Sequence, residues 1–340
     1  MYINRLEILF KQRLLQRKDL NNFLSGDGNL LYILDYSKNI PDQRLMKYKN
    51  LYSNVGNTPV YNFKIGNNDI NVKLECLNSN GNSHYARYWI IYLFLAEELG
   101  IIKPNYSHII EVTSGNSGIA LAIATKLLNY KLTIFLPKSL PTKRKQPIKD
   151  FGGNIIEVDG YIDECTFSLL SFFENKDKTV YHYPNHSEEP YSLIDYVFSR
   201  IAYEYINKHR PPDYSILGMG NGSSLYSIGK AIKTKKNSCK IISFHPDVQK
   251  DSIVLGLLSK TKLNLKHLSK AIDEQICTDN ILTNNLSIED IQRKFYYDTE
   301  IVNFGHSSLY AIAVVEKLIQ QYNIENNSFF VIGYDRINRY

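Results

Sequence analysis

The sequence is poor in the features that would mark several specialised protein classes. Its four cysteines, Cys76, Cys165, Cys239 and Cys277, are scattered with no CxxC pair. That excludes a small disulfide scaffold and reads as reduced thiols in a cytosolic chain. No stretch reaches the roughly 18 uncharged apolar residues of a membrane-crossing helix. Near the start, the helical apolar spacing of Leu6, Ile8, Leu9, Leu14 and Leu15 is interrupted by Arg5, Glu7, Lys11 and Arg13. No signal peptide is visible, so the expectation is a soluble, cytoplasmic protein with no membrane partner. Charge of one sign is scarcely in excess: 40 Lys plus Arg against 34 Asp plus Glu leaves a formal +6. A nucleic-acid partner would call for a denser basic surface, and none is expected. No glycine run is followed by GKS or GKT, and no G-x-S-x-G elbow occurs, which removes a P-loop and the usual hydrolase nucleophile.

What is present is the material of an ordinary globular chain. Over 340 residues, 44% hydrophobic and 22% charged content can bury a sizeable core and exclude disorder or a collagen-like repeat. The length suggests two domains, or one large α/β unit with lobes. The one oddity is Tyr 26 beside Phe 15 and Trp 1. With abundant Asn, Ile and Lys, that count reads as AT-rich codon usage.

The first fifty residues look mainly helical, broken at Gly26-Asp27-Gly28 and restarting at Pro41. From about Leu51, short apolar strands alternate with longer amphipathic stretches. The pattern predicts strands at Ile70–Leu77, Ile109–Val112, Leu132–Leu136, Ile155–Val158, Val180–Tyr183, Ser215–Leu217, Lys240–Phe244 and Phe329–Ile332. Helices are predicted at Tyr88–Leu99, Ile119–Leu128, Ser192–Asn207 and Leu309–Tyr322. Such alternation implies an α/β fold with a parallel sheet covered on both faces. Ligands in these folds sit beyond the carboxyl ends of the strands, so the turns leaving the strands carry the search.

Two turns stand out. Thr113-Ser114-Gly115-Asn116-Ser117-Gly118 follows a strand and opens a helix, exposing backbone N–H groups suited to a carboxylate or phosphate. An ordinary capped helix start would look the same. Gly218-Met219-Gly220-Asn221-Gly222-Ser223-Ser224 follows another strand, and its glycines and hydroxyls suit a phosphate nest. The glycines fall as GxGxG rather than GxGxxG, so a nicotinamide site is poorly supported. His182 and His186 are spaced i, i+4 across Pro184 at a strand end, which does not place both rings on one helical face; no metal site is expected. The basic run Lys138, Lys143, Arg144, Lys145, Lys149 lacks interleaved aromatics and reads as a solvated helix face.

Taken in order, Gly56-Asn57-Thr58-Pro59-Val60, Val72-Lys73-Leu74-Glu75, Thr113–Gly118 and Gly220–Ser224 resemble the fold type II pyridoxal-phosphate enzymes, in the cysteine synthase and cystathionine β-synthase branch. Gly100-Ile101-Ile102-Lys103-Pro104 and the stretch Leu132–Gly160 fit the same pattern. The resemblance covers about Leu51 to Tyr340. It implies the two-lobed parallel-sheet fold of the tryptophan synthase β and cysteine synthase type. The implied organisation is a helical extension over 1–50, a large α/β domain over 51–78 plus 190–340, and a small domain with the substrate loop over 79–189. By the same resemblance, Thr113, Ser114, Gly115, Asn116 and Ser117 would hold a ligand carboxylate, with Asn116 against the cofactor's ring hydroxyl. Gly220, Asn221, Gly222, Ser223 and Ser224 would form the phosphate cup. His182 takes the place of a glutamine that helps hold the carboxylate. A homodimer is also implied.

The departures from that family are specific. Its Schiff-base lysine lies in an Asn-Pro-x-x-Ser-x-Lys-Asp-Arg segment, which here reads Asn78-Ser79-Asn80-Gly81-Asn82-Ser83-His84-Tyr85-Ala86-Arg87. Anchoring on Asn78 and Gly81 puts His84 at the lysine's place, whereas anchoring on Arg87 puts Tyr85 there. No lysine occurs between Lys73 and Lys103. Neither imidazole nor phenol forms a stable imine with an aldehyde, so no covalently bound cofactor is expected, and pyridoxal phosphate would be held non-covalently or not at all. Arg336 stands where a serine normally meets the pyridine nitrogen. Opposite a protonated ring, two like charges near 4 Å would cost about 4 kcal/mol at an effective dielectric near 20. Leu309 and Tyr310 replace small residues before the last helix and are expected to fill cofactor or substrate volume. The leading expectation is a catalytically degenerate or reprogrammed cysteine synthase-like protein that binds a small amino-acid or carboxylate ligand. The alternatives are an active β-substitution or elimination enzyme with His84 or Tyr85 as acid/base, and an interaction protein that captures a partner's C-terminal carboxylate.

Overall fold

The computed structural model describes residues 34–35, 37–187, 192–245, 257, 274–277 and 303–339. The helices expected before Pro41 lie, but for residues 34–35 and 37–40, outside the described residues. The chain divides into two units, one of Met1–Val55, Asn78–Glu188 and Arg339–Tyr340, the other of Gly56–Leu77 and Glu189–Asn338.

The first unit is built on a parallel sheet in the order β5-β4-β3-β6, with β3 at His108–Val112, β4 at Lys131–Pro137, β5 at Asn154–Val158 and β6 at Tyr181–His182. The runs Ile109–Val112 and Leu132–Pro137 are buried on both faces, the pattern of strands covered by helices on each side. Among the described residues its helices are α1 at Asp42–Ser53, α2 at Tyr85–Glu98, α3 at Asn116–Leu127, α4 at Thr142–Asp150 and α5 at Ile162–Glu174. Helix α2 has almost no solvent face: Trp89, Ile91, Leu93 and Phe94 are buried, and so are Arg87 and Glu98. The stretch read as an N-terminal extension contributes α1 to this unit. Arg44 forms an ion pair with Glu97 there, and Glu97 also accepts hydrogen bonds from the hydroxyls of Tyr48 at 2.7 Å and Tyr130 at 2.5 Å. On β3, β4 and α5, Ile110, Val112, Phe135, Cys165 and Leu169 form one apolar cluster.

The second unit carries a six-stranded sheet in the order β1-β2-β10-β7-β8-β9. Strands β1 (Val60–Ile65) and β2 (Asn68–Lys73) form an antiparallel hairpin, and every other pairing in the sheet is parallel. The remaining strands are β7 at Tyr214–Gly218, β8 at Lys240–His245, β9 at Glu274–Cys277 and β10 at Ser328–Ile332. Among the described residues it also carries helices α6 (Ser192–Ile206), α7 (Ser223–Lys235) and α8 (His306–Tyr322). The strand expected over Ile70–Leu77 ends at Lys73, because Glu75–Leu77 turns into a short 3-10 helix whose Cys76 N–H donates to the Gly333 carbonyl at 2.7 Å.

Three helices begin earlier than the apolar periodicity indicated: α2 at Tyr85, α3 at Asn116 and α8 at His306. Their first turns carry no apolar periodicity, and those of α2 and α3 hold the candidate residues Tyr85, Asn116 and Ser117. Leu309 and Tyr310 are buried in the α8 core with Val72, Phe329 and Val331.

Candidate functional site

In the first unit, β3 runs directly into the loop and α3. Gly115, the N-cap of α3, has φ +134°, a conformation that L side chains rarely adopt, so the turn requires glycine. A Cβ there would also lie 2.8 Å from Arg144 Cδ. The oxygens of the loop are met from behind by donors. Thr113 Oγ1 accepts from the Gly115 N–H at 3.1 Å and the Gly118 N–H at 3.3 Å. The Ser114 carbonyl accepts from Arg144 Nη1 at 2.9 Å, and Ser117 Oγ from Trp89 Nε1 at 2.9 Å. Asn116 Oδ1 accepts from Arg339 Nη1 at 2.5 Å.

The run read as a solvated face is corrected here. Arg144 is 1% exposed and Lys145 8%. The Lys145 ammonium donates to the Lys138 carbonyl at 2.7 Å and pairs with Glu157 at 2.8 Å. Lys138 is exposed, as a solvated face requires. Charge-run logic missed Arg144 because its burial depends on a glycine 29 residues earlier in the chain. Arg339 likewise carries no local signal.

The segment at the head of α2 places His84 as the N-cap and Tyr85 as the first helical residue. Their rings lie 4.2 Å apart, and Tyr85 meets His186 edge-on at 5.6 Å. Burial, with the nearby Glu111 carboxylate adding to it, pushes the Tyr85 phenol up to about 12. Like an ordinary phenol it is protonated at neutral pH, and the shift makes its anion still less accessible, so it is a donor or an acid and not a base. Glu111 is buried, accepts from the His186 N–H at 3.2 Å, and faces His186 Nδ1 at 3.4 Å. His186 and Glu111 thus lie beside the head of α2. His182 hydrogen-bonds through Nε2 to the Tyr92 hydroxyl at 2.8 Å and stacks on that ring. Burial lowers the imidazole to about 4, so His182 is neutral at pH 7 and has no positive charge to offer a carboxylate.

In the second unit, the Gly220–Ser224 turn opens α7. Gly222 is its left-handed N-cap at φ +85°, and the Ser223 N–H donates to Asn221 Oδ1 at 3.1 Å. The Ser223 hydroxyl is buried with no hydrogen-bond partner among the described residues. An orphaned hydroxyl at the positive end of a 13-residue helix suits a phosphate oxygen. Arg336 is exposed, and its guanidinium acts electrostatically on the Cys76 thiol. Burial raises that thiol to about 11, against the influence of Arg336.

Residues 51–332 match the family model described as pyridoxal-phosphate dependent enzyme, and the chain belongs to that family. The curated cysteine synthase of Buchnera aphidicola subsp. Schizaphis graminum is 26% identical over 304 residues, spanning 82% of this chain and 89% of its own. Among solved structures, the O-acetylserine dependent cystathionine β-synthase of Helicobacter pylori superposes with a TM-score of 0.72 at 21% identity, covering 85% of this chain and 96% of its own. An O-ureido-L-serine-bound lysine-to-alanine mutant of O-ureido-L-serine synthase gives 0.72 at 19% identity, covering 85% and 91%. At those identities the structural likeness speaks for the fold. Pyridoxal phosphate is the typical cofactor of the family, and the Gly220–Ser224 turn with its orphaned hydroxyl suits the phosphate of that group. Among the described residues no helix is long and apolar enough to cross a membrane.

Proposed function

We propose that this is a cysteine synthase-like protein that binds a small amino-acid or carboxylate ligand on the Thr113–Ser117 loop without covalent capture of pyridoxal phosphate. The observation that carries the reading is the head of α2. Where the family resemblance places an amine, the chain supplies the imidazole of His84 and the protonated phenol of Tyr85. The lysines that flank the stretch do not replace it. Lys73 is buried and ion-paired with Glu204 at 2.7 Å, and Lys103 is exposed. Pyridoxal phosphate, when bound, supplies an electron sink for reactions at an amino acid's α-carbon. In this chain Ser223 and the α7 N-terminus would hold its phosphate, and the Thr113–Ser117 loop would orient the ligand's carboxylate. The O-ureido-L-serine synthase mutant supports the reading, because that protein carries its amino-acid ligand with a lysine replaced by alanine.

The test is reduction of the purified protein with borohydride after addition of pyridoxal phosphate, followed by intact-mass measurement. No adduct is expected, and a stoichiometric adduct on one specific lysine overturns the reading. The relatives' names favour a second reading, an enzyme of β-substitution or elimination with Tyr85 as acid. Turnover of O-acetylserine that is abolished by Tyr85→Phe would establish it. A homodimer and capture of a partner's C-terminal carboxylate are further proposals of the family resemblance. Light scattering tests the first, and loss of a captured partner on Asn116→Ala tests the second.

A further inference from the structure

We propose that Tyr334 sets the size of the ligand taken by the Gly220–Ser224 turn. Its phenol fills the strand-end crevice beside the turn, which therefore favours a bare oxyanion such as inorganic phosphate over a phosphate that carries an aromatic ring. This rests on the reading that the turn holds a phosphate, and it names the residue that decides what that phosphate can carry.

Two features of the turn point to an anion. It opens a helix of 13 residues, and the buried hydroxyl of Ser223 there has no hydrogen-bond partner among the described residues. A ligand at such a turn lies outside the carboxyl ends of the neighbouring strands. The strand that feeds the turn is β7, with β10 on one side and β8 on the other. Both sides are occupied at its end. Toward β8, the Met219 N–H donates to the Phe244 carbonyl at 2.8 Å. A Cβ on Gly218 would lie 3.3 Å from Phe244 Cζ and 3.0 Å from Leu257 Cδ2. Toward β10, the ladder stops at Val331 opposite Ile216, two residues before Gly218. That leaves the Gly218 N–H as a donor at the strand end, and the Tyr334 hydroxyl accepts it at 3.3 Å. Tyr334 stands two residues past the end of β10, so its side chain crosses the gap between the two strands. Its backbone is pinned on both sides. The Tyr334 N–H donates to Ser308 Oγ in α8 at 2.9 Å, and the next carbonyl, of Asp335, accepts from the Gly305 N–H at 2.9 Å. Tyr334 is 7% exposed. A bare phosphate meets the α7 N-terminus and Ser223 with the phenol in place. A ring attached to that phosphate has to displace the phenol, which breaks the Gly218 bond and disturbs a packed interior. Phe244, fully buried in the core, offers no room on the other side.

The experiment is isothermal titration of the full chain with inorganic phosphate and with pyridoxine phosphate, an alcohol that carries the ring but no aldehyde to react with lysines. Wild type is expected to bind the bare phosphate at least ~10-fold more tightly, the discrimination a closed pocket achieves by size. Tyr334→Leu keeps an apolar side chain but cannot reach β7. It should bring the two ligands to within about threefold by tightening the one with the ring, and change phosphate affinity by less than about twofold. Ser223→Ala should weaken both ligands alike, at least ~5-fold, because its hydroxyl meets the group they share. If phosphate binds and the ratio is unchanged in Tyr334→Leu, the inference falls while the phosphate reading stands. If neither ligand binds any of these proteins, or Ser223→Ala affects neither, the phosphate reading falls and takes the inference with it. Should Tyr334→Leu not fold, Tyr334→Phe decides. It retains the ring and should retain the discrimination, while amide exchange at Gly218 quickens at least ~10-fold for want of its acceptor. An unchanged Gly218 amide, or a ratio that collapses with the ring still present, overturns the inference.

Discussion

Replacing Lys73 by Met should destabilise the second unit by about 3–5 kcal/mol, the range expected when one partner of a buried ion pair is removed. The structure gives the reason. The Lys73 ammonium, 1% exposed, donates to the Thr58 carbonyl and hydroxyl at 2.5 Å each and to Glu204 at 2.7 Å. The Thr58 hydroxyl passes the hydrogen-bond chain on to Glu75 Oε1 at 2.7 Å, itself 3.9 Å from the ammonium, and the Glu75 side chain is fully buried. Methionine fills a similar volume but leaves that carboxylate in the interior without its cation. Against a total stability of roughly 5–15 kcal/mol, the loss is a fifth or more. A carboxylate stranded in this way titrates higher folded than unfolded, so the folded state binds its proton more readily at low pH. The deficit is then smallest near pH 4 and grows as the pH rises toward neutrality. Adding Glu75→Gln, which removes the stranded charge and can still accept from Thr58, should recover much of the loss. Urea unfolding followed by hydrogen exchange of the paired β2 and β10 amides is the assay. The sole tryptophan, Trp89, lies in the first unit and does not report on the second. A loss under about 1 kcal/mol at pH 7, or an equal deficit at pH 4 and pH 7, would refute the reasoning.

Tyr85→Lys should give a borohydride-stable pyridoxal-phosphate adduct at residue 85, and an adduct with His84→Lys in its place would assign the lysine position to the other register. Burial depresses the His182 imidazole to about 4, so its contribution to stability is complete above its unfolded value near 6.5 and is lost as the pH falls toward 4. That acid loss, at most about 3 kcal/mol, should be absent from His182→Phe, and an unchanged pH slope between 6.5 and 4 would count against the assignment. Gly115→Ala forces a side chain into φ +134° and against Arg144 Cδ at 2.8 Å. A local cost of about 1–3 kcal/mol should displace the loop and lower L-serine affinity at least ~10-fold, and undiminished affinity would remove the loop from the site.

Much of the fold was legible because its signals are local. The apolar runs at Ile109–Val112 and Leu132–Leu136 had to become covered strands, and the glycine-hydroxyl turns after β3 and β7 had to open helices. Helix starts were read late, at Tyr88, Ile119 and Leu309, since the residues of those first turns show no apolar periodicity. The hairpin strand Val60–Ile65 was missed for a related reason: its residues alternate between half-buried and exposed and never form an apolar run.

The sequence by itself determined that the strands and helices alternate, that the loop 113–118 and the turn 220–224 leave strands, and that no lysine lies between Lys73 and Lys103. Each is a statement about neighbours along the chain, where pattern and spacing suffice. Only the tertiary structure decided which charged side chains are buried and what they hold. Arg144 and Arg339 lie 30 and 223 residues from their loop partners, and no local pattern records that a guanidinium will find a carbonyl or an amide oxygen across such a distance. The upward shift of Tyr85 is of the same kind: its phenol is pushed up to about 12 because burial and the Glu111 carboxylate, brought beside it by folding, both disfavour a negative charge there.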